Sequence, residues 1–325
     1  MNKPTILISA IGGDIGSSAV RALRDKAICI VGCDMKRYPS AYNLVDSFYK
    51  APGVNDAEKY MNFLKDTIRK ENIDFFLPIS EPEIALLGHR REEIETLGVK
   101  LLLNNTAILD AFLDKYNTFK YLKDLGLETP ETCLLENYEG NFSFPLIVKS
   151  RTGYGSKNYW KIEDAEDLAY VRRKNNGLLI AQQYMGNDSE EYTTGVFSDG
   201  KVVSSITFRR KLGFGSLSAE AVLVDAPFME EVAERIARKT DLVGSINIQS
   251  RRLGDVFSIF EINPRLSSTL SFRKKFGFDD VVWWFDVAQG KGYNYKKLYK
   301  SGRAVRCVSE CYFDLVRIDQ NETAQ

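Results

Sequence analysis

Histidine is almost absent from this chain of 325 residues, in which His89 is the only one. It lies in Leu-Leu-Gly-His-Arg-Arg-Glu-Glu, which reads as the polar end of a helix. A Ser-His-Asp triad, a Cys-His pair or a His-ligated zinc site would each depend on this one residue. We therefore expect a surface histidine, and a chemistry that uses carboxylates, amides, lysine, arginine and a hard metal ion.

Other absences narrow the class of protein further. The five cysteines form no C-x-x-C pair, which predicts free thiols in a reducing cytoplasm. The charges of the 44 acidic and 44 basic residues cancel, and the chain contains no block of basic residues. Both features argue against nucleic acid as the main partner. No apolar run approaches the roughly 20 residues of a membrane span, and the N-terminal residues lack the pattern of a signal peptide. We expect a cytoplasmic protein without a membrane partner.

The first 105 residues alternate between apolar strand-like runs and helical stretches. Such alternation predicts a parallel sheet with helices on both faces. Gly12, Gly13 and Gly16 follow the first strand and Asp34 ends the second, as in dinucleotide-binding folds, although the spacing is G-G-x-x-G. Two interpretations stay open for this loop, a nicotinamide or flavin site and a tight structural turn.

The pattern changes near Asn105. Residues 108–126 form an amphipathic helical stretch that ends at Gly126. Short strands and hairpins then dominate, with helices near 164–174 and 226–240, and this part is therefore predicted to be α+β. The strands are expected at 145–149, 158–162, 179–184, 192–197, 201–208, 219–224, 245–251 and 256–262.

The strongest chemical signal lies between Asn247 and Arg265. The intervening residues read as strand, Gly-Asp turn and strand, so Gln249 and Glu261 are expected side by side on neighbouring strands. Alternate residues of a strand share a face, which brings a carboxylate, amides and a guanidinium together. Such oxygen donors hold Mg²⁺ along with substrate phosphates, and an arginine fork suits phosphate or carboxylate. A polar hairpin edge facing water is the alternative.

A positioned lysine and a glycine-rich loop follow one another at residues 145–157. The strand ends in Lys149, and the loop behind it contains Gly153, Gly155 and Ser156. Backbone N–H groups of glycines can approach phosphate oxygens without a Cβ in the way, and such a loop can close over a nucleotide. A plain hairpin turn would look similar, so this segment alone leaves both interpretations open.

Two later segments could complete a nucleotide site. The strand that ends near Tyr184 and Met185 runs out toward Glu190 and Glu191, so its edge could hold a base and an acid could bind ribose hydroxyls. The cluster Arg209-Arg210-Lys211 precedes a glycine loop and could hold a transferring phosphoryl group or an acyl phosphate. Solvated surface charge is the alternative for both segments.

Taken in order, these segments resemble the ATP-grasp superfamily, and within it the carboxylate–amine ligases similar to the carbamoyl-phosphate synthase large subunit. The most specific motif is Gln249 followed by Glu261-Ile-Asn263-Pro-Arg265. The resemblance covers the whole chain and implies a Rossmann-like α/β pre-ATP-grasp domain at 1–105. It further implies an ATP-grasp fold at 106–315, in which two α+β subdomains clasp ATP, and a tail at 316–325. The small lid subdomain would span about 120–185 and the metal-binding subdomain about 186–315.

The resemblance also implies roles for individual residues. The implied nucleotide-binding residues are Lys115, Lys149, Gly153, Gly155, Ser156, Gln182, Gln183, Tyr184, Met185 and Glu191. The implied ligands of Mg²⁺ or Mn²⁺ are Gln249, Glu261 and Asn263, and the implied catalytic residues are Arg210, Arg265 and Asn263. The expected substrate contacts are Gly13, Glu81 and Ser268. The chain departs from the family pattern in two places. The adenine-strand position that is often Glu is Gln182 or Gln183 here, and Leu-Ser-Ser-Thr, rather than a glycine-rich segment, follows Asn-Pro-Arg.

The activity implied by the resemblance is ATP- and magnesium-dependent ligation of a small-molecule carboxylate to an amine through an acyl phosphate. Full carbamoyl-phosphate synthesis is not expected, because it uses two such units in tandem in the resembled family. The alternatives are an NAD(P)-dependent oxidoreductase that uses the Gly12–Gly16 loop and Asp34, and a non-catalytic nucleotide-binding regulator. Whether the chain forms a homodimer stays open, since Trp283-Trp284-Phe285 would suit either a core or an interface.

Overall fold

The structure is a computed structural model that describes residues 3–153, 158–175, 177–186, 188–213, 215, 217–254, 256–307 and 309–313. Within these ranges the strands form three sheets, of five, four and six strands. No helix within these ranges is long and apolar enough to cross a membrane. His89 is exposed at the end of its helix, and the five cysteines are free thiols, both as predicted.

The first sheet is parallel throughout, with the strand order β3-β2-β1-β4-β5. The elements of this part are β1 (Thr5–Ile8), α1 (Asp14–Leu23), β2 (Cys29–Asp34), β3 (Ser47–Lys50), α2 (Ala57–Glu71), β4 (Phe75–Leu77), α3 (Glu81–His89), α4 (Arg91–Glu95) and β5 (Lys100–Leu101). Ile6 and Ile8 pack into one apolar cluster and Leu7 into another, so helices cover both faces. The prediction for this part is confirmed.

Two helices, α5 (Thr106–Phe112) and α6 (Lys115–Asp124), lead from the first sheet to the second. The prediction of one helical stretch over 108–126 is wrong at its centre. Asp114 has extended backbone, and its carboxylate accepts from the N–H groups of Tyr116 and Asn117 at 2.9 and 3.3 Å, which caps α6. Gly126 ends the helical part as predicted, with a φ of 62° that favours glycine.

The second and third sheets are antiparallel, with the orders β6-β9-β7-β8 and β14-β13-β10-β11-β12-β15. The second sheet contains β6 (Thr132–Leu134), β7 (Leu146–Ser150), β8 (Tyr159–Ile162) and β9 (Leu179–Gln183), and the helix α7 (Ala165–Lys174) connects β8 to β9. The remaining elements are β10 (Glu191–Asp199), β11 (Val203–Leu212), β12 (Ser218–Val224), α8 (Pro227–Lys239), β13 (Val243–Leu253), β14 (Val256–Asn263), α9 (Leu270–Lys275), α10 (Asp280–Ala288) and β15 (Gly302–Val305). Each strand predicted beyond Phe144 forms within four residues of its expected bounds.

The helix α10 joins the first and third sheets into one body. Trp283, Trp284 and Phe285 are buried, in the same apolar cluster as residues of β1, α1 and β10. Of the two interpretations that the sequence left open for this aromatic run, the structure supports the core. The third sheet therefore rests on the helices of the first, which fixes the orientation of its polar strand ends.

Candidate active site

A cleft of about 1160 Å³ lies between the four-stranded and six-stranded sheets. Its volume exceeds the roughly 300–1,000 Å³ of ordinary small-molecule sites. The predicted site residues that line it are Lys115, Lys149, Gly153, Gln182, Gln183, Tyr184, Met185, Glu191, Arg210, Gln249, Glu261, Asn263, Arg265 and Ser268. The predicted residues Gly155 and Ser156 lie outside the described ranges. Residues far apart in the chain thus meet in one place.

The β13–β14 hairpin supplies the polar wall of the cleft. Gln249 is directly opposite Glu261, as the strand spacing predicted, and Asn247 is opposite Asn263. Asn263 donates through Nδ2 to Oε1 of Glu261 at 3.2 Å and accepts at Oδ1 from Nη2 of Arg265 at 3.2 Å. Glu261, Asn263 and Arg265 are therefore held together by hydrogen bonds of their own.

A β-bulge shifts the pairing of β13 with β14 beyond Gln249. The register shifts after Gln249, so that Ser250 pairs with Ile259 and one residue of β14 has no partner. Consecutive residues Phe260 and Glu261 both line the cleft as a result, although simple alternation would place them on opposite faces. The sequence analysis missed Phe260, because no local pattern marks this bulge.

Lys149 lies deep in the cleft beside this wall. Its Nζ is 3.8 Å from Oε2 of Glu261 and 5.4 Å from the ring centre of Phe260. Burial lowers the pKa of Lys149 to about 8, an effect that Glu261 partly offsets and Lys115 adds to. The ammonium is thus largely protonated at neutral pH and little hydrated, which strengthens its attraction to an anion.

Glu261 is the one carboxylate of the hairpin patch. Burial acts to raise the pKa of Glu261, yet the nearby Lys115 and Lys149 cations hold it below its usual range. The carboxylate is therefore ionised and able to bind a cation. Among the described residues no cluster of three or more His, Cys, Asp or Glu could hold a metal ion, so a tightly caged metal does not fit here.

Mg²⁺ does fit this donor set. It usually binds through one or two carboxylates and takes its remaining ligands from water and substrate phosphates. Glu261 would supply the carboxylate, with the amide oxygens of Gln249 and Asn263 beside it. In addition, Nδ2 of Asn247 is buried without a hydrogen-bond partner in the described structure, although Oδ1 accepts from Thr193 at 2.8 Å. This N–H donor cannot bind a metal ion, but it could donate to an oxygen of a phosphate or of another substrate group.

A buried network of charges lies at the start of β10. Glu191 accepts at Oε1 from Nε and Nη2 of Arg210 at 3.0 and 2.7 Å, and at Oε2 from Nη2 of Arg251 at 3.3 Å. The sequence analysis expected Glu191 on a ribose and Arg210 on a phosphoryl group, and it missed Arg251. A carboxylate accepts about four hydrogen bonds, so these contacts leave capacity for a ribose hydroxyl.

The exit strand β9 forms the opposite wall. Nε2 of Gln182 donates to Oγ1 of Thr132 at 3.0 Å, which turns this side chain toward β6. The ring centre of Tyr184 lies 4.8 Å from Nζ of Lys161, and Met185 follows it along the cleft. Tyr184 and Met185 thus give this end of the cleft an apolar surface, as a flat base would require.

The loop after β7 meets the start of α6. Nζ of Lys115 donates to the backbone oxygen of Gly153 at 2.8 Å. Arg151 pairs with the capping residue Asp114 at 2.6 Å, so the cap that splits the two helices also anchors this loop. Lys115 is consequently carried into the cleft at the first turn of α6.

Of the three predicted substrate residues, Ser268 lines the cleft, and Glu81 and Gly13 do not. Oγ of Ser268 lies 3.3 Å from Oγ of Ser218. Oε2 of Glu81 accepts from Nη2 of Arg265 at 3.4 Å. Near Gly13, Ile15 in the first turn of α1 lines the cleft. The first sheet therefore contributes to the cleft through neighbours of the predicted residues.

The glycine loop of the first sheet forms a closed structural turn. The carboxylate of Asp34 accepts from the N–H groups of Gly12 and Lys36, both at 2.8 Å, and is buried. A Cβ on Gly12 would lie 2.9 Å from Oδ2 of Asp34. This packing favours the structural-turn interpretation over a ribose site at Asp34.

Comparisons with known proteins agree with this geometry. Residues 6–102 match the family model of the PylC-like N-terminal domain, and residues 176–311 match that of the ATP-grasp domain in the biosynthetic pathway with Ter operon. Carbamoyl phosphate synthase large chain from Neisseria meningitidis serogroup B is 26% identical over 198 residues, which are 55% of this chain and 18% of that one. The chain thus spans about a fifth of the length of this relative.

Solved structures share this architecture over about nine-tenths of the chain. N5-carboxyaminoimidazole synthetase from Staphylococcus aureus, complexed with ADP, has a TM-score of 0.73 at 16% identity. The match covers 90% of this chain and 80% of the synthetase chain. The chain has the ATP-grasp fold, and its residues 176–311 match an ATP-grasp family model. A second structure, L-amino acid ligase from Bacillus licheniformis, has a TM-score of 0.71 at 17% identity. The match covers 89% of this chain and 74% of the ligase chain. At such identity these ATP-grasp neighbours establish the fold alone.

Proposed function

We propose that this ATP-grasp protein is an ATP- and magnesium-dependent ligase that joins a small-molecule carboxylate to an amine. The observation that carries the proposal is the convergence of Lys149, Glu261, Asn263 and Arg265 in one cleft between two sheets. Lysine and arginine suit the phosphates of ATP, and the Glu261 patch suits Mg²⁺. The cleft also has room for more than a nucleotide.

The reaction proceeds in two displacements. An oxygen of the substrate carboxylate attacks the γ-phosphorus of ATP, the bond to the bridging oxygen breaks, and ADP leaves. The amine nitrogen then attacks the carbonyl carbon of the acyl phosphate, and phosphate leaves with the oxygen it gained from the carboxylate. The proton that the amine loses passes to the leaving phosphate or to water. Neither step needs a side-chain nucleophile or a histidine base, in keeping with the single exposed His89.

The chain's own residues would stabilise the charge that develops in these steps. Lys115 and Lys149 would hold nucleotide phosphates, and Arg265, fixed by Glu81 and Asn263, would face the acyl phosphate. Fixed cations in a water-poor cleft stabilise transferring phosphoryl groups without reorganising. A bound Mg²⁺ at Gln249, Glu261 and Asn263 would supply charge neutralisation of the phosphates.

The test is release of ADP from MgATP in the presence of pairs of small carboxylates and amines, with bicarbonate among the carboxylates. For a productive pair, ¹⁸O in the carboxylate should appear in the released phosphate. Release that requires both substrates, with this label transfer, supports the ligase. ADP release without label transfer would contradict the acyl phosphate, and binding of MgATP without turnover for any pair would favour the non-catalytic regulator.

A further inference from the structure

Arg251 lines the cleft, and the proposed reaction gives it no role. It lies two residues after Gln249 on β13, so both side chains are on the cleft face of the strand. Arg251 is buried, with 9% of its surface exposed. A buried guanidinium is costly unless its donors are satisfied, so its partners indicate what it holds in place.

The two ends of the guanidinium contact different walls of the cleft. Nη1 donates to the backbone oxygen of Met185 at 3.1 Å, just beyond the exit strand β9. Nη2 donates to Oε2 of Glu191 at 3.3 Å, at the start of β10. The plane of the group also lies near two aromatic rings, with its central carbon 5.2 Å from the ring centre of Tyr184 and 5.8 Å from that of Phe260.

Glu191 extends this connection toward the phosphate end. Its other carboxylate oxygen accepts two hydrogen bonds from Arg210, which is itself buried. A continuous series of contacts therefore runs from the Met185 backbone through Arg251 and Glu191 to Arg210. Arg251 thus links β13 to β10 and to the segment after β9, and Glu191 extends the link to β11.

We infer that Arg251 is a positioning residue that shapes the base and ribose end of the nucleotide site, an inference that rests on the proposed binding of MgATP. It holds the segment of Tyr184 and Met185 at a set distance from Glu191, so that a base and its ribose can be held together. The planar fork of arginine reaches both acceptors at once, whereas the single ammonium of lysine cannot. Charge alone therefore does not account for the role.

The test compares Arg251→Lys with the matched control Arg252→Lys. Arg252 is next to Arg251 on the same strand but faces away from the cleft, near the ring of Phe257. Both variants keep the net charge of the chain. Calorimetric titration measures the dissociation constants of MgATP and of magnesium tripolyphosphate, which has the phosphates but neither base nor ribose, and circular dichroism confirms that each variant is folded.

Arg251→Lys should weaken MgATP binding by about tenfold, the scale of one charge-assisted hydrogen bond, and leave tripolyphosphate binding unchanged within about twofold. Arg252→Lys should change neither. Unchanged MgATP affinity in Arg251→Lys would overturn the inference, and so would an equal loss for both ligands, which would make Arg251 a direct phosphate contact. Failure of the unmodified protein to bind MgATP would instead overturn the proposed function, and the inference with it.

Discussion

The chemistry of the cleft rests on a few residues whose surroundings, rather than identities, set their properties. Lys149 and Glu261 are common residue types, but 3.8 Å apart in a buried cleft they form a charged pair whose cation has a pKa lowered to about 8. The strand periodicity predicted that Gln249, Glu261 and Asn263 would meet, because it depends only on alternation. It could not predict Phe260 beside them, because the bulge depends on pairing between strands.

Replacing Lys149 should remove the main buried cation of the proposed phosphate site. We expect Lys149→Met to raise the dissociation constant of MgATP by roughly 100-fold, or about 2.7 kcal/mol, the scale of one preorganised electrostatic group. Isothermal titration calorimetry measures the change. The control is Lys120→Met, an exposed lysine on α6 outside the cleft. Equal affinity in Lys149→Met and the unmodified protein would contradict the assignment.

A second residue-scale prediction concerns stability and pH. Burial raises the pKa of Glu83, although its carboxylate accepts from Ser9, Tyr60 and the N–H groups of Ile79 and Ser80. The folded state therefore binds this proton more tightly than the unfolded chain, whose carboxyl has a pKa near 4.5. The resulting stabilisation is complete below that value and is lost as pH rises through the raised pKa.

Glu83→Gln cannot titrate and so serves as the reference for this effect. The unmodified protein should lose stability relative to the variant as pH rises above 4.5, by about 1.4 kcal/mol per unit of pKa elevation. Urea unfolding of both proteins across this range measures the difference. A difference that stays constant with pH would show that Glu83 does not titrate as its burial implies.

At the scale of elements, a buried ion pair holds the segment behind the cleft. Arg273 on α9 donates through Nε and Nη2 to Asp280 on α10 at 3.0 and 2.5 Å, and both residues are almost fully buried. Nη1 of Arg273 also donates to Oγ of Ser267, a residue that lines the cleft, at 2.8 Å. The pair thus connects two helices to the loop that follows Arg265.

Breaking this pair should be costly. Asp280→Ala leaves a buried guanidinium without its carboxylate, and we expect a loss of about 3–5 kcal/mol in the free energy of unfolding. Glu234→Ala, which breaks the exposed pair with Arg238 on α8, should cost less than about 0.5 kcal/mol. Chemical denaturation of both variants checks this contrast. Similar losses in the two variants would mean that burial does not set the strength of the pair.

The elements also show which parts of the fold the sequence could predict. The eight strands expected beyond Phe144 form because their apolar runs are bounded by turn residues. The short strands β3 and β15 and the helices α9 and α10 were not predicted. In α10, Val281, Trp283 and Phe285 are buried along with the residues between them, so no polar face reveals a helical period. The cap at Asp114 was missed because the apolar pattern continues through it.

At the scale of the whole molecule, the part that carries the first sheet is tied to the cleft through a buried side chain. Asn104, which follows β5, is buried and donates through Nδ2 to the backbone oxygens of Ser245 and Pro264 at 2.8 and 2.9 Å. Pro264 stands between Asn263 and Arg265, so the junction of the two parts is tied directly to the site. Sequence reasoning assigned substrate contacts to this sheet, but it could not supply the distances between parts that are far apart in the chain.

The proposed function requires that this cleft bind ATP together with Mg²⁺. The most direct measurement is thermal unfolding of the unmodified protein with MgATP, with ATP and EDTA, and with NAD⁺ or NADPH. At about a hundredfold excess over the dissociation constant, MgATP should stabilise by about 2.7 kcal/mol and raise Tm by roughly 5 °C or more, with a smaller rise in EDTA. A rise with a nicotinamide cofactor and none with MgATP would contradict the account.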